Sequence, residues 1–254
     1  LVYGEANTIA VRVNNQRRPG AVPGRQRGWR NFGGILREVA LIATDPCYVS
    51  RVVPVAEPAT GGGQLDLQVF VRNAREVGTE AGLDVAVVDD AGQTVARLRG
   101  DSRRVPPGEE TVFGLSGIVA GAAPWSPDNP RLYTVKVTLR VDGVPVGESV
   151  VRVGFRSIEA RDHQLWLNGA PLYLTGFNRH EDSPDRNMCP DLDLVRRDLT
   201  VMKEAGVNFV RLCHYPHHPA ELDLCDELGL LVMDEIPLYW WDGLAEGEAM
   251  AAQT

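Results

Sequence analysis

The spacing of apolar residues changes once along this 254-residue chain, near Arg156, and this change limits the folds available to it. Before Arg156, apolar and polar residues mostly alternate, which is the period of strands with one buried face. After Arg156, short apolar runs alternate with segments of helical spacing, which indicates parallel βαβ units. The sequence therefore predicts a β-rich part followed by an α/β part.

Strand signals repeat through residues 47–155, and turn signals separate them. Leu65, Val69 and Val71 alternate with polar residues, and Asp142-Gly143 is typical of a hairpin turn. No helical pattern interrupts this stretch of about one hundred residues. We interpret it as an immunoglobulin-like β-sandwich.

Residues 1–46 carry two further strand signals. Ile9, Val11 and Val13 alternate with other residues, and residues 33–42 return to an apolar pattern after a loop rich in Arg, Pro and Gly. Because one hairpin cannot form a sandwich by itself, we interpret 1–46 as the C-terminal part of a larger jelly-roll β-domain.

Residues 156–254 alternate between strand and helix signals. Strands are predicted at 171–177, 207–212 and 230–233, with helices at 191–205 and 221–228 and a C-terminal cap at Gly229. A (β/α)8 TIM barrel typically has about 250 residues, and fewer than one hundred follow Arg156. We therefore expect the N-terminal part of an incomplete TIM barrel.

Charge and composition narrow the function classes. The net charge of −8 argues against a nucleic-acid partner, although one segment is locally basic and is interpreted as a solvated loop; its residues are Arg17, Arg18, Arg25, Arg27 and Arg30. The sequence contains no run of 18 apolar residues, which is the pattern that would indicate a membrane span. Four cysteines without a CxxC pair favour reduced thiols, as in a cytoplasmic enzyme, while the localisation stays open.

Polar clusters follow the three predicted strands of the α/β part, where a barrel places its functional groups. They comprise residues 178–182, Arg211 with residues 214–218, and Asp234 with Glu235. Such side chains suit sugar hydroxyl groups, and Tyr239, Trp240 and Trp241 offer either faces for sugar rings or barrel packing. Glu181 with Glu235 is the best local candidate for a catalytic carboxylate pair, but carboxylates at barrel strand ends also serve as orienting or structural groups, and we assign no catalytic residue within the chain.

The histidines have other interpretations. His180 and His214 could be satisfied polar histidines of loops, and His217 and His218 are assigned to a surface loop. Cys213, His214, His217 and His218 suggest zinc, but Pro216 and Pro219 prevent the helical spacing of paired ligands. We predict neither a metal site nor a cofactor.

Several motifs, taken in order, resemble glycoside hydrolase family 2, the β-galactosidase and β-glucuronidase group. The barrel motifs are residues 154–158, 167–169, 176–181, 208–216 and 224–230, Asp198 with Met202-Lys203, and Asp234-Glu235. Upstream, residues 31–37 resemble the end of the family's jelly roll. Residues 125–130 with Leu132-Tyr133 resemble the signature of its sandwich domain. The resemblance spans nearly the whole chain. It implies an internal fragment of a retaining β-glycosidase that acts on a terminal β-glycoside substrate.

The resemblance also implies roles for particular residues. His180 and His214 would line the subsite of the non-reducing sugar, Arg211 would lie beneath it, and Asn178 and Glu181 would be further substrate-binding residues. The acid/base and nucleophilic glutamates of the family would both fall beyond Thr254, so that this chain alone would catalyse nothing. A homo-oligomer of the full-length form stays an open alternative.

Two departures bear on the sugar. An aspartate expected near position 28 is replaced by Gly28, and residues 238–241 lack the glutamate and histidine of the β-galactosidase magnesium site. The segments 214–219 and 224–226 nevertheless resemble β-galactosidase more than β-glucuronidase, for which the sequence shows no carboxylate-binding arrangement. β-Glucuronidase-like and β-mannosidase-like members, a non-catalytic carbohydrate-binding protein and a structural fragment remain alternatives.

Overall fold

The computed structural model describes residues 2, 4–18, 21–24, 28–30 and 32–238. Seven long antiparallel strands form two sheets over residues 47–153. The strands are β1 (Cys47–Ala59), β2 (Gly62–Asn73), β3 (Thr79–Val88), β4 (Thr94–Val105), β5 (Glu110–Ala120), β6 (Tyr133–Val141) and β7 (Val144–Val153). One sheet has the order β1-β2-β5 and the other β4-β3-β6-β7. This part of the chain is therefore a two-sheet sandwich.

The alternating residues of the sequence form the core between these sheets. Leu65, Val69, Val85 and Val137 are buried, and Phe155 closes the same cluster just after β7. Their polar neighbours face outward, because successive side chains of a strand point to opposite faces. The alternation predicted from the sequence is confirmed here.

A small antiparallel sheet links the sandwich to the α/β part. It consists of β8 (Ile158–Arg161), β9 (Gln164–Leu167) and β10 (Ala170–Leu172), in the order β10-β9-β8. The sequence predicted one strand over 171–177 instead. That run is divided between β10 and β11 (Gly176–Arg179), which belong to different sheets.

The α/β part is a three-stranded parallel sheet with two helical crossovers. After β11 come α1 (Leu192–Glu204), β12 (Phe209–Leu212), α2 (Pro219–Leu228) and β13 (Leu231–Asp234), and the strand order is β11-β12-β13. Asp191 caps the start of α1 by accepting a hydrogen bond from the backbone N–H of Leu194. The alternating strand and helix pattern predicted from the sequence is confirmed.

Gly229 has the cap position predicted for it, and a second reason to be glycine. It ends α2 in the left-handed conformation, with a φ of 72°. A Cβ atom at this position would lie 2.4 Å from the carbonyl oxygen of Pro127 in the sandwich. The helix end therefore packs directly on the sandwich. Two hydrogen bonds join the same parts: the indole N–H of Trp125 in the sandwich donates to the carbonyl of Asp226 in α2, and the ammonium of Lys203 in α1 donates to the carbonyl of Pro127.

The strands predicted within residues 1–46 are absent from the described part of that segment. A strand is stabilised by hydrogen bonds to a neighbouring strand, and no described residue pairs with either stretch. Ile9, Val39, Leu41 and Ile42 are each more than three-quarters exposed. Parts of the segment contact the α/β loops, as Arg37 does at Pro216 and Glu38 at His218. No helix among the residues described here is long and apolar enough to span a membrane.

Candidate functional site

Parallel pairing brings the predicted polar clusters to one edge of the α/β sheet. Asn178 of β11 is in register with Arg211 of β12, and Arg211 with Met233 of β13. The loops that follow these strands therefore begin side by side. This explains how residues separated by more than fifty positions in the chain meet in space.

Arg211, His214 and Glu235 form one hydrogen-bonded group at this edge. The guanidinium Nε of Arg211 donates to Oε1 of Glu235 at 2.6 Å, and Nδ1 of His214 lies 2.9 Å from Oε2 of the same carboxylate. Nη2 of Arg211 also lies 3.3 Å from Nδ1 of His214, but the shorter contact is to a carboxylate, which accepts; Nδ1 of His214 is therefore assigned the hydrogen, and Nε2 the lone pair when the ring is neutral. Asn178 joins the group through its Oδ1 atom, 3.4 Å from Arg211.

The electrostatics of Glu235 follow from these contacts. Burial pushes its pKa upward, but the hydrogen bonds from His214 and Arg211 outweigh burial and hold the pKa below its usual value. Glu235 is therefore a fixed anion that orients a cation and an imidazole.

His180 lies opposite His214. The two rings meet edge to face with centroids 5.3 Å apart, and Nδ1 of His180 lies 3.5 Å from the hydroxyl oxygen of Tyr215. Burial lowers the pKa of His180, so its ring favours the neutral form. A neutral imidazole presents one donor and one acceptor, which is the combination that a hydroxyl group complements.

Trp29 is a site residue that the sequence analysis did not identify. Its indole lies 5.6 Å from the ring of His214 and 5.6 Å from the ring of Tyr215, centroid to centroid. It comes from the N-terminal segment next to Gly28, which is exposed. An aromatic residue within a Gly- and Arg-rich loop was the available signal, but no local pattern connects residue 29 with residue 214.

Glu181 differs from the other predicted substrate-binding residues. Its side chain is only 2% exposed, and both carboxylate oxygens lie 3.3 Å from Nη2 of Arg37. The backbone N–H of His218 also donates to Oε1 at 2.8 Å. The carboxylate of Glu181 is thus occupied by groups of the protein.

A second polar cluster lies below the first and is buried. Arg179 donates to Glu221 at 2.8 Å, and His217 bridges Glu221 at 3.1 Å and the carbonyl oxygen of Cys213 at 3.2 Å. The side chains of His217 and Glu221 are both 0% exposed. Asp198, which is partly exposed, also pairs with Arg179.

The assignment of His217 and His218 to a surface loop is therefore wrong. His217 is enclosed because its ring is stacked on Tyr215 and bonded to Glu221. His218 is the N-cap of α2 and accepts a hydrogen bond from the backbone N–H of Ala220, while its Nε2 lies 3.0 Å from Glu38. Tertiary contacts, which local sequence does not encode, explain both burials.

His180, Cys213 and His214 are the described residues whose potential metal-ligand atoms lie together, all within 4.8 Å of one another. Metal ligation by cysteine requires a thiolate. Burial raises the pKa of the Cys213 thiol, which donates to the carbonyl oxygen of Arg179. His217 and His218, the other members of the zinc alternative, bond to Glu221 and Glu38 instead.

Tyr239, Trp240 and Trp241, expected as aromatic faces, lie outside the described residues.

The gathered side chains define the class of site. Charged and dual donor-acceptor groups at the ends of parallel strands, beside the aromatic rings of Trp29 and Tyr215, form a site for a small polar ligand.

Comparisons with known proteins then give the family. Residues 47–156 match the family "Glycosyl hydrolases family 2", and residues 158–246 match "Glycosyl hydrolases family 2, TIM barrel domain". The chain belongs to glycoside hydrolase family 2, as the resemblance of its motifs predicted.

The proteins to which the chain is similar are named for different sugars. The chain is 30% identical to a putative β-glucuronidase of Formosa agariphila over 98% of its own length and 29% of that protein. It is 34% identical to a β-galactosidase of Aeromonas hydrophila over 83% of its length and 21% of that protein. The crystal structure of a β-galacturonidase from Eisenbergiella tayi bound to galacturonate superposes with a TM-score of 0.80 at 29% identity, covering 89% of this chain and 40% of that one. The chain thus spans about a quarter of the length of these curated relatives.

Proposed function

We propose that the full-length protein containing this chain is a retaining β-glycosidase that hydrolyses terminal β-linked sugars, with β-galactosides as its first substrate class. One observation carries the proposal. The rings of His180 and His214 meet edge to face with centroids 5.3 Å apart beside Trp29, and Glu235 and Arg211 both contact Nδ1 of His214. Two oriented imidazoles supply the donors and acceptors that neighbouring sugar hydroxyls require. Arg211 and Asn178 form the polar floor of the subsite.

The same proposal assigns parts of the family's architecture to this chain. Residues 1–46 are the end of a jelly-roll domain, residues 47–155 an immunoglobulin-like sandwich, and residues 156–254 the opening of a (β/α)8 barrel. The parallel order β11-β12-β13 with helical crossovers supports the barrel assignment. The 3 + 4 arrangement of antiparallel strands supports the sandwich assignment.

The catalytic carboxylates of this enzyme are other residues than Glu181 and Glu235. Retention uses two carboxylates, a nucleophile and an acid/base, about 5 to 5.5 Å apart. Glu181 is held by Arg37 and His218, and Glu235 by Arg211 and His214. These ion pairs support orienting roles for both glutamates. We therefore assign Glu181 the role of holding the site together in place of direct contact with the sugar.

Uronide hydrolysis is the second candidate function. The names of the Formosa and Eisenbergiella proteins favour it, and so does Arg30, which lies in the wall of the pocket formed by Trp29, Arg37 and Tyr215. A uronate carboxylate requires a cationic partner. Arg37, Arg179 and Arg211 already pair with carboxylates of the protein. Arg30, in the wall of the pocket, is therefore our candidate for the cationic partner of a uronate.

The test is turnover by the full-length protein of nitrophenyl β-galactoside, β-galacturonide, β-glucuronide and β-mannoside, with the anomeric configuration of the released sugar followed by NMR. Retention on galactoside supports the first candidate. Preference for a uronide, lost in Arg30→Gln but kept on neutral sugars, supports the second. Sugar binding without turnover would favour a carbohydrate-binding protein.

A further inference from the structure

Two neighbouring residues of the N-terminal segment bind the α/β loops. Arg37 contacts Glu181 and also donates to the carbonyl oxygen of Pro216 at 2.8 Å. Glu38 accepts from Nε2 of His218 at 3.0 Å. The two contacts differ in environment, because the side chain of Glu181 is 2% exposed with that of Arg37 at 37%, whereas the side chain of Glu38 is 72% exposed with that of His218 at 10%. A buried ion pair constrains geometry more strongly than an exposed one.

The buried contact lies next to the aromatic group of the site. Pro216, the acceptor for Arg37, directly follows Tyr215, and the hydroxyl of Tyr215 accepts from the backbone N–H of Glu181 at 3.3 Å. Trp29 packs on Tyr215 and His214 from the same segment that carries Arg37. The segment that carries Trp29 is therefore also joined, through Arg37, to the loops after β11 and β12.

We propose that Glu181 is a positioning residue: its ion pair with Arg37 fastens the N-terminal segment so that Trp29 packs on His214 and Tyr215. Glu181 and Arg37 act on the substrate only through Trp29 and the imidazoles. Trp29 in turn limits the rotation of the His214 ring, whose other side is held by Glu235. This proposal rests on the function proposed above for the same site, and its first test is independent of that function.

The first test is hydrogen exchange of the full-length protein. Arg37→Met should accelerate exchange of the backbone amides of Glu181 and His218 by about tenfold or more, because these buried amides, which donate to the hydroxyl of Tyr215 and to the carboxylate of Glu181, lose the cover of the segment when its anchor is lost. The matched control is Glu38→Gln in the same segment, which removes an exposed pair and should change exchange less than about twofold. Equal protection in Arg37→Met and wild type, with the protein folded, would overturn the proposal even if no glycoside were hydrolysed.

The second test separates positioning from direct contact with the sugar. Arg37→Met, Glu181→Gln and Trp29→Ala should each lower kcat/KM by about tenfold, within the range expected when a reacting group is misplaced. Combining Arg37→Met with Trp29→Ala should cost little beyond either change alone, since both act through one contact. Arg37→Lys, which keeps the positive charge, should recover part of the loss and serves if Glu181→Gln fails to fold.

Two results contradict the proposal. Additive losses in the Arg37 and Trp29 variants would mean that they act separately. Normal kinetics in Arg37→Met together with an inactive, folded Glu181→Gln would make Glu181 a residue that contacts the sugar.

Discussion

The α/β part contains two polar clusters of nearly the same composition at different depths. The outer cluster has Arg211, His214 and Glu235, with side chains between 16% and 31% exposed. The inner one has Arg179, His217 and Glu221, between 0% and 7% exposed. Arg179 directly follows Asn178, the partner of Arg211 in register, and so points to the opposite face of the sheet. A shift of one residue along β11 separates a group that can meet a ligand from one that cannot.

The difference shows that residue type alone does not identify a functional group. Both clusters combine arginine, histidine and glutamate, and both stand near strand ends. The two clusters differ in access. A ligand can reach the polar atoms of the outer cluster, whereas those of the inner cluster contact only other atoms of the protein. Substitutions in the inner cluster should therefore reduce stability, and those in the outer cluster activity.

The largest effect is expected from Glu221→Gln in the inner cluster. The change leaves His217 without its anionic partner and Arg179 with only the partly exposed Asp198, and breaking a buried ion pair costs about 3–5 kcal/mol of unfolding free energy. Chemical denaturation measures this loss. The matched control is Asp198→Asn, which removes the partly exposed partner of the same arginine and should cost about 1 kcal/mol or less. Equal losses in the two variants would mean that depth does not distinguish these groups.

The next largest effect is expected from His180→Ala and His214→Ala in the full-length protein, assayed for the glycosidase activity proposed above. Each should lower transition-state stabilisation by about 2–4 kcal/mol, because hydrogen bonds to sugar hydroxyls strengthen in the transition state. The quantity to compare is kcat/KM, alongside the melting temperature, which should stay near that of the wild type. Unchanged kcat/KM in both variants would remove these histidines from the site.

How far the sequence led can be judged from particular residues. The order of α1, β12, α2 and β13 was predictable, because periodicity and a cap such as Gly229 are local signals, whereas the run predicted as one strand over 171–177 is divided between β10 and β11. The gathering of the strand-end clusters followed from the geometry of parallel sheets. The burial of His217 and the packing of Trp29 on His214 did not, since both depend on contacts between distant parts of the chain. The strands expected in residues 1–46 failed for a related reason: alternation predicts a strand only where a partner strand is available.

A smaller effect is expected from Glu235→Gln in the outer cluster. The amide keeps the shape but loses the charge that orients Arg211 and His214, and a hydrogen bond to a charged group contributes about 1.5–3 kcal/mol. We expect a loss of kcat/KM that corresponds to the lower value, about 1.5 kcal/mol, and a small fall in melting temperature at neutral pH, where the charge of Glu235 contributes to stability.

The pH dependence of stability gives Glu235→Gln an internal check. The folded-state pKa of Glu235 is lowered, so its contribution is fully present above the unfolded value of about 4.5 and is lost as the pH falls through the folded value. Acid titration of the wild type should show this loss, and the Gln variant should lack that part of it. Identical acid profiles would contradict the assigned ion pair.

The smallest effect concerns Cys213, which lies between the two clusters and marks the floor of the site. It is 2% exposed, and burial raises the pKa of its thiol, whereas Cys189 is exposed on the surface. Since the thiolate is the reactive form, iodoacetamide should modify Cys189 at least about tenfold faster than Cys213 at pH 8. Peptide mass spectrometry of the full-length protein gives both rates in one experiment. Comparable rates would mean that solvent reaches below His180 and His214, and the boundary between the ligand-facing and the buried cluster would then lie deeper, towards His217.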